Sequence, residues 1–111
     1  FMGNWTIRWN FNKPSYTPGE QVLISFWIEN TGESPLYLSD LSLEFDFGTY
    51  NLESISGIVA PRENKFLGNI WLSLPKNVVG RKIYTLRYHI YECVNGVGLI
   101  WVSTHLRNNI S

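Results

Sequence analysis

The stretch Gln21-Val22-Leu23-Ile24-Ser25-Phe26-Trp27-Ile28-Glu29-Asn30 decides the fold. Val22, Ile24, Phe26 and Ile28 recur at every second position, the spacing that gathers side chains on one face of a pleated strand. Gln21, Ser25 and Glu29 lie between them, and Asn30-Thr31-Gly32 then turns the chain. A half-buried strand follows, with its even-numbered face turned to a core.

The same two-residue rhythm continues on both sides. Upstream, Trp5, Ile7, Trp9 and Phe11 form a row that ends at Pro14 and the Tyr16-Thr17-Pro18-Gly19-Glu20 stretch. Downstream, Leu36 to Phe47 reads as a longer strand, with Leu41, Leu43, Phe45 and Phe47 on one side and Ser42, Glu44 and Asp46 on the other. Two weaker segments span Tyr50 to Ile55 and Ile58 to Ala60. Phe66, Ile70, Leu72 and Leu74 predict a strand facing inward, with Leu67, Asn69, Trp71 and Ser73 facing out. Lys82 to Cys93 and Val97 to His105 flank Val94-Asn95-Gly96, whose Asn-Gly pair suits a tight antiparallel hairpin. All five prolines fall between rows, where sheets tolerate them.

Composition agrees. The chain of 111 residues has a single alanine, Ala60, and is rich in the aromatic and β-branched residues that pack on pleated surfaces. Residues 1–111 are expected to form one all-β domain, an immunoglobulin-like antiparallel sandwich of seven to eight strands in two sheets. Its length suffices for a core without a disulfide, which the lone Cys93 has no second cysteine to form. No window approaches the roughly 18 apolar residues of a helical membrane span, and no N-terminal stretch reads as a signal peptide. Nine basic and nine acidic residues cancel, which removes the electrostatic footprint of a nucleic-acid binder or of a protein steered to anionic lipid.

Tyr16-x-Pro18-Gly19-Glu20-x-Val22-x-Ile24, followed by Ile28-x-Asn30-x-Gly32, resembles immunoglobulin-like modules of the CARDB kind, found in surface proteins of bacteria and archaea. Arrestin-like sandwiches look similar. The resemblance covers the first third of the chain, with Gly80 to Leu86 similar to the start of the penultimate strand in such folds. It implies a surface or extracytoplasmic home. It also places Tyr84 where a tyrosine corner would bond its hydroxyl to an upstream backbone group; an ordinary core tyrosine is the alternative.

Catalytic and metal chemistry find little support. His89, His105 and Cys93 are the only nitrogen and sulfur candidates for zinc; His89 and Cys93, four residues apart, stand about 13 Å apart along a strand. Asp40, Glu44 and Asp46 read as a solvated strand face, with weak calcium binding as the residual possibility. No Gly-x-Ser-x-Gly elbow occurs, and Gly96-Val97-Gly98 lacks the third glycine of a dinucleotide fingerprint. No enzyme and no cofactor are expected; a small hydrolase is the least favoured class. Asn4-Trp5-Thr6 and Asn109-Ile110-Ser111 match the N-glycosylation pattern.

The aromatic residues point to a role. If the even-numbered rows face inward, Leu23, Trp27, Leu67 and Trp71 face outward, and an immunoglobulin-like order sets Trp27 beside Trp71. Such an apolar patch marks a partner surface, since Trp dominates binding hot spots. Tyr91 adds a similar feature on the other sheet. The opposing expectation is that a loop or the N-terminal segment, whose Trp5 and Trp9 also need a home, covers these indoles. The reading is a noncatalytic interaction or adhesion module that binds a protein partner or forms a homodimer. Its rivals are a carbohydrate-binding accessory domain, with the tryptophans as stacking plates, and an intracellular arrestin-like scaffold that works by strand addition.

Overall fold

The computed structural model describes the backbone of residues 4–94 and 97–110 and the side chains of residues 4–92. Eight strands follow in order: β1 (Trp5–Phe11), β2 (Gln21–Asn30), β3 (Leu36–Phe45), β4 (Gly48–Asn51), β5 (Gly57–Val59), β6 (Asn64–Ser73), β7 (Lys82–Val94) and β8 (Val97–Ile110). Antiparallel pairing sorts them into a three-stranded sheet, β1-β2-β6, and a five-stranded sheet, β4-β3-β7-β8, which β5 joins beside β3. The chain is an all-β, immunoglobulin-like sandwich.

The strand β2 obeys its alternation: Val22, Ile24, Phe26 and Ile28 are at most 1% exposed. Leu36, Leu38, Leu41 and Leu43 from β3 and Tyr84, Leu86, Tyr88 and Ile90 from β7 supply the opposing layer. Removing each such side chain from water stabilises the fold by roughly 1.5–3 kcal/mol, which fixes the orientation of both sheets. One end of the interior is aromatic. There Phe45 stacks on Phe47 at 4.7 Å and approaches Tyr84 at 5.6 Å, and Phe11 approaches Tyr84 at 5.5 Å.

Thr17-Pro18-Gly19-Glu20 closes as a turn in which the Glu20 amide donates to the Thr17 carbonyl at 3.1 Å. Proline presets the second position, and Gly19 at φ +81° takes the third, the arrangement of a type II turn. The Tyr16 hydroxyl accepts from the Lys13 amide at 3.1 Å and donates to Asn12 Oδ1 at 2.5 Å, so a tyrosine-to-backbone bond forms here. The Tyr84 hydroxyl, on a side chain only 2% exposed, accepts from the Trp9 indole at 2.7 Å.

Two irregularities alter the faces that simple alternation predicts. In β3, Leu36 and Leu38 are buried at even positions, whereas Leu41, Leu43 and Phe45 are buried at odd ones. A register shift between Ser39 and Ser42 absorbs the change, with Asp40 at φ +56°. In β6, Phe26 faces Gly68 and Trp27 faces Phe66, so Leu67 is an extra residue without a cross-strand partner. Phe66, expected in the core, is therefore 51% exposed. Leu67, expected outside, packs against the core. Gly68 at φ +136° supplies the backbone conformation, and the Ile55 side chain fills the space above it.

The first weak segment forms a shorter strand than expected, and the second a three-residue strand of the expected length, shifted by one residue toward the N-terminus. Phe45 pairs with Gly48 through a two-residue hairpin that starts β4 early. After Asn51 the chain turns, the Ile55 amide bonding to the Leu52 carbonyl at 2.9 Å, which sends Leu52 and Ile55 into the core. Val94 pairs with Val97, so β7 and β8 form the expected hairpin; its Asn95-Gly96 tip lies outside the described residues.

At the end of β2, Asn30 is fully buried and fully used. Its amide nitrogen donates to the carbonyls of Ser34 at 2.8 Å and Val59 at 3.2 Å, and its side-chain oxygen accepts from the Gly32 amide at 3.0 Å. One carboxamide thus ties the three-stranded sheet to β5 of the other.

Candidate binding faces

The outer face of the three-stranded sheet is a grid set by strand register. Along β2 the outward residues are Leu23, Ser25, Trp27 and Glu29. Their neighbours on β6 are Trp71, Asn69, Phe66 and Asn64, and those on β1 opposite Ser25, Trp27 and Glu29 are Asn10, Arg8 and Thr6. Trp27 and Phe66 make a tilted pair with ring centroids 5.4 Å apart. Trp71, 59% exposed, stands against Leu23.

Trp27 and Trp71 share the face, but they are not side by side as expected. Trp71 lies opposite Leu23, four residues and about 13 Å along β2 from Trp27. Between the two aromatic rows the Ser25 hydroxyl donates to the Asn69 side-chain oxygen. Beside Trp27, Arg8 donates to Asn64 Oδ1 at 3.3 Å. Arg8, Trp9, Asn10, Trp27 and Asn64 surround a shallow depression of about 370 Å³. Hydrogen-bonding groups thus border each aromatic plate.

The five-stranded sheet carries a different surface. Tyr37 on β3 faces Tyr91 on β7 with ring centroids 6.0 Å apart, and it faces Ile58 of β5 on its other side. Tyr37 and Ile58 are 41% and 63% exposed. Pro35, Leu36, Tyr37 and Ile58 line a cleft of about 180 Å³ whose walls are wholly apolar. Farther along the same face, charge replaces hydrophobicity. Asp40 meets His89 at 2.8 Å, Glu44 meets Arg87 at 3.4 Å and Asp46 meets Lys82 at 3.5 Å. The three carboxylates considered together in sequence are thus each matched with a basic side chain. Exposed pairs of this kind contribute about 0–1 kcal/mol each. Among the described residues, no group of three His, Cys, Asp or Glu side chains gathers as metal ligands. The side chains of Cys93 and His105 lie outside them.

Trp5 and Trp9 do not cover the outward tryptophans. They pack against the interior, where Trp5 donates to the Tyr88 hydroxyl at 3.3 Å and Trp9 to that of Tyr84. Of the residues singled out in sequence, Leu23, Trp27 and Trp71 share one outer face, Tyr91 lies on the other, and Leu67 turns inward. Phe66, Tyr37 and Ile58 went unnoticed as surface residues. Two signals point to them: a glycine inside a strand pattern at position 68, and the change of parity between Leu38 and Leu41.

No family model matches the chain, and no curated protein sequence is significantly similar to it. Solved structures share its architecture. The sporulation control protein Spo0M from Bacillus subtilis superposes with a TM-score of 0.66 over 98% of this chain at 14% identity. The Pseudomonas fluorescens alkylpurine DNA glycosylase AlkC, in a complex with DNA containing an abasic site analog, superposes with a TM-score of 0.54 over 97% at 14% identity. The match to PapD-like domain 7 of human CEP192 is looser, at a TM-score of 0.43 over 96% of this chain and 85% of that one, with 15% identity. This chain spans 50% of the Spo0M chain and 30% of the AlkC chain. At 14% identity the likeness to Spo0M and AlkC is one of fold.

Proposed function

We propose that the chain is a noncatalytic protein-interaction module of a surface or extracytoplasmic protein, and that a second protein chain docks over Tyr37, Tyr91 and Ile58. The observation that carries this reading is the apolar cleft beside the Tyr37–Tyr91 pair, bordered by the charged row that starts at Asp40 and His89. A dry centre with a polar rim is the usual anatomy of a protein interface, and tyrosine is among the residues most enriched there. Support for the setting comes from the CARDB-like pattern between Tyr16 and Ile24, and from Asn4 and Thr6, both exposed in a glycosylation triplet.

A photo-crosslinking residue placed at position 58 tests it in the native host. The expected result is a discrete crosslinked species, either a partner or a second copy, that disappears when Tyr37→Ser is added. No crosslink at position 58, or one indifferent to Tyr37→Ser, overturns the assignment.

A further inference from the structure

We infer that the outer face of the three-stranded sheet is a binding platform for an extended, uncharged glycan chain, lying along the strands and stacked on Trp71 at one end and Trp27 with Phe66 at the other. The inference goes beyond the protein-docking reading and is independent of it, since it uses the opposite sheet.

Three observations carry it. First, the exposed rings come in two rows about 13 Å apart along the strand, separated by the Ser25–Asn69 pair. A protein hot spot draws its strength from a continuous desolvated centre. Here a mutually bonded pair of polar side chains occupies that centre, and a wholly apolar partner surface would strand the amide N–H groups of Asn69 without water. A glycan meets no such difficulty. Its ring faces present C–H groups suited to stacking, and the hydroxyls around each ring rim suit the amides between the plates.

Second, apart from Arg8 and Glu29, which flank Trp27 with opposite charges, the polar side chains around the plates are of the neutral, two-way kind. Asn10, Asn64 and Asn69 carry both donors and acceptors, and Ser25 adds a hydroxyl. Sugar hydroxyls also donate and accept, so such groups match them without fixing a charge. Arg8 beside Trp27 adds donors, and its contact with Asn64 holds both side chains at the edge of the 370 Å³ depression.

Third, the platform is held rigidly. β2 lies at the centre of the sheet with its inner residues buried, and the extra residue Leu67 lets Phe66 stand outward against Trp27 while Trp71 also stands outward. The strand positions of the plates are therefore set before a ligand arrives, and little backbone ordering is needed on binding.

The test uses cellohexaose and chitohexaose as soluble probes, followed by titration calorimetry and by tryptophan fluorescence. The expected result is saturable binding of at least one hexasaccharide, reduced roughly tenfold by Trp71→Ala and by Trp27→Ala, the scale of losing one aromatic stacking contact together with its buried area. Asn69→Ala, which leaves both plates intact, should weaken binding severalfold. Tyr37→Ser should leave it unchanged, which separates this site from the docking face. Circular dichroism of each variant checks that the sandwich persists. Failure of both hexasaccharides and of insoluble cellulose and chitin to bind overturns the inference. So does binding that survives Trp71→Ala and Trp27→Ala together, or a protein crosslink formed from position 71.

Discussion

Trp9 on β1 and Tyr84 on β7 join the two sheets through the interior: the indole nitrogen donates to the phenolic oxygen at 2.7 Å. Four residues along each strand, Trp5 and Tyr88 repeat the contact at 3.3 Å. Large amphipathic rings fill the space between layers and still find partners for their polar atoms, which is how buried Trp and Tyr are ordinarily accommodated. Trp9→Phe keeps most of the volume and deletes the donor. The expected cost is about 1 kcal/mol, seen as a lower urea midpoint with an unchanged slope. An unaltered midpoint would show that the bond adds nothing.

Asn30 concentrates more energy in one side chain. Asn30→Ala leaves the buried Val59 carbonyl and Gly32 amide and the half-buried Ser34 carbonyl without its contacts, and should destabilise the fold by about 3 kcal/mol. Chemical denaturation measures this directly. A loss under about 1 kcal/mol would mean that water replaces the carboxamide at little cost.

Gly68→Ala tests the irregular segment of β6. An added Cβ meets the Ile55 side chain at 3.3 Å, and φ +136° is a conformation that L side chains rarely adopt. A thermal-unfolding loss of about 1–3 kcal/mol is expected, the scale of one strained backbone position. Wild-type stability would show that the segment can repack without its glycine.

Alkaline pH should loosen the structure through two phenols. Burial pushes Tyr16 above its ordinary value of 10.0, against the opposing pull of hydrogen bonds with Lys13 and Asn12, and burial likewise raises Tyr50, which donates to the Ser73 carbonyl at 2.8 Å. The unfolded chain then releases these protons at lower pH than the folded one. Their contribution is complete below about pH 10 and is lost as pH climbs through the folded-state values. Urea titrations between about pH 8 and 11 should show a fall in stability that is shallower in Tyr16→Phe, Tyr50→Phe. Parallel curves for the two proteins would refute the linkage.

Much of the fold was legible because period-two burial is a strong signal wherever a strand runs without interruption. β2 and the Asn-Gly hairpin between β7 and β8 followed their sequence patterns. Legibility failed where one residue was inserted. Leu67 and Phe66 were exchanged between faces; Gly68 hints at an irregularity, but which residue is inserted emerges from the cross-strand pairing with Phe26 and Trp27. Trp27 and Trp71 were placed on the correct sheet face, but their separation depends on register, which alternation leaves open. Tyr37 and Ile58 came together for a similar reason: β5 is three residues long, too short to carry a pattern of its own.

β6 holds one surplus residue, and that surplus is turned inward. Deleting Leu67 would bring Phe66 next to Gly68 in the regular order their partners already follow, leaving the exterior lettering of the strand unchanged and thinning only the material between the layers. Chain length and outward identity are separate variables in this strand, so a deletion at that point shortens the chain without erasing what a ligand would read.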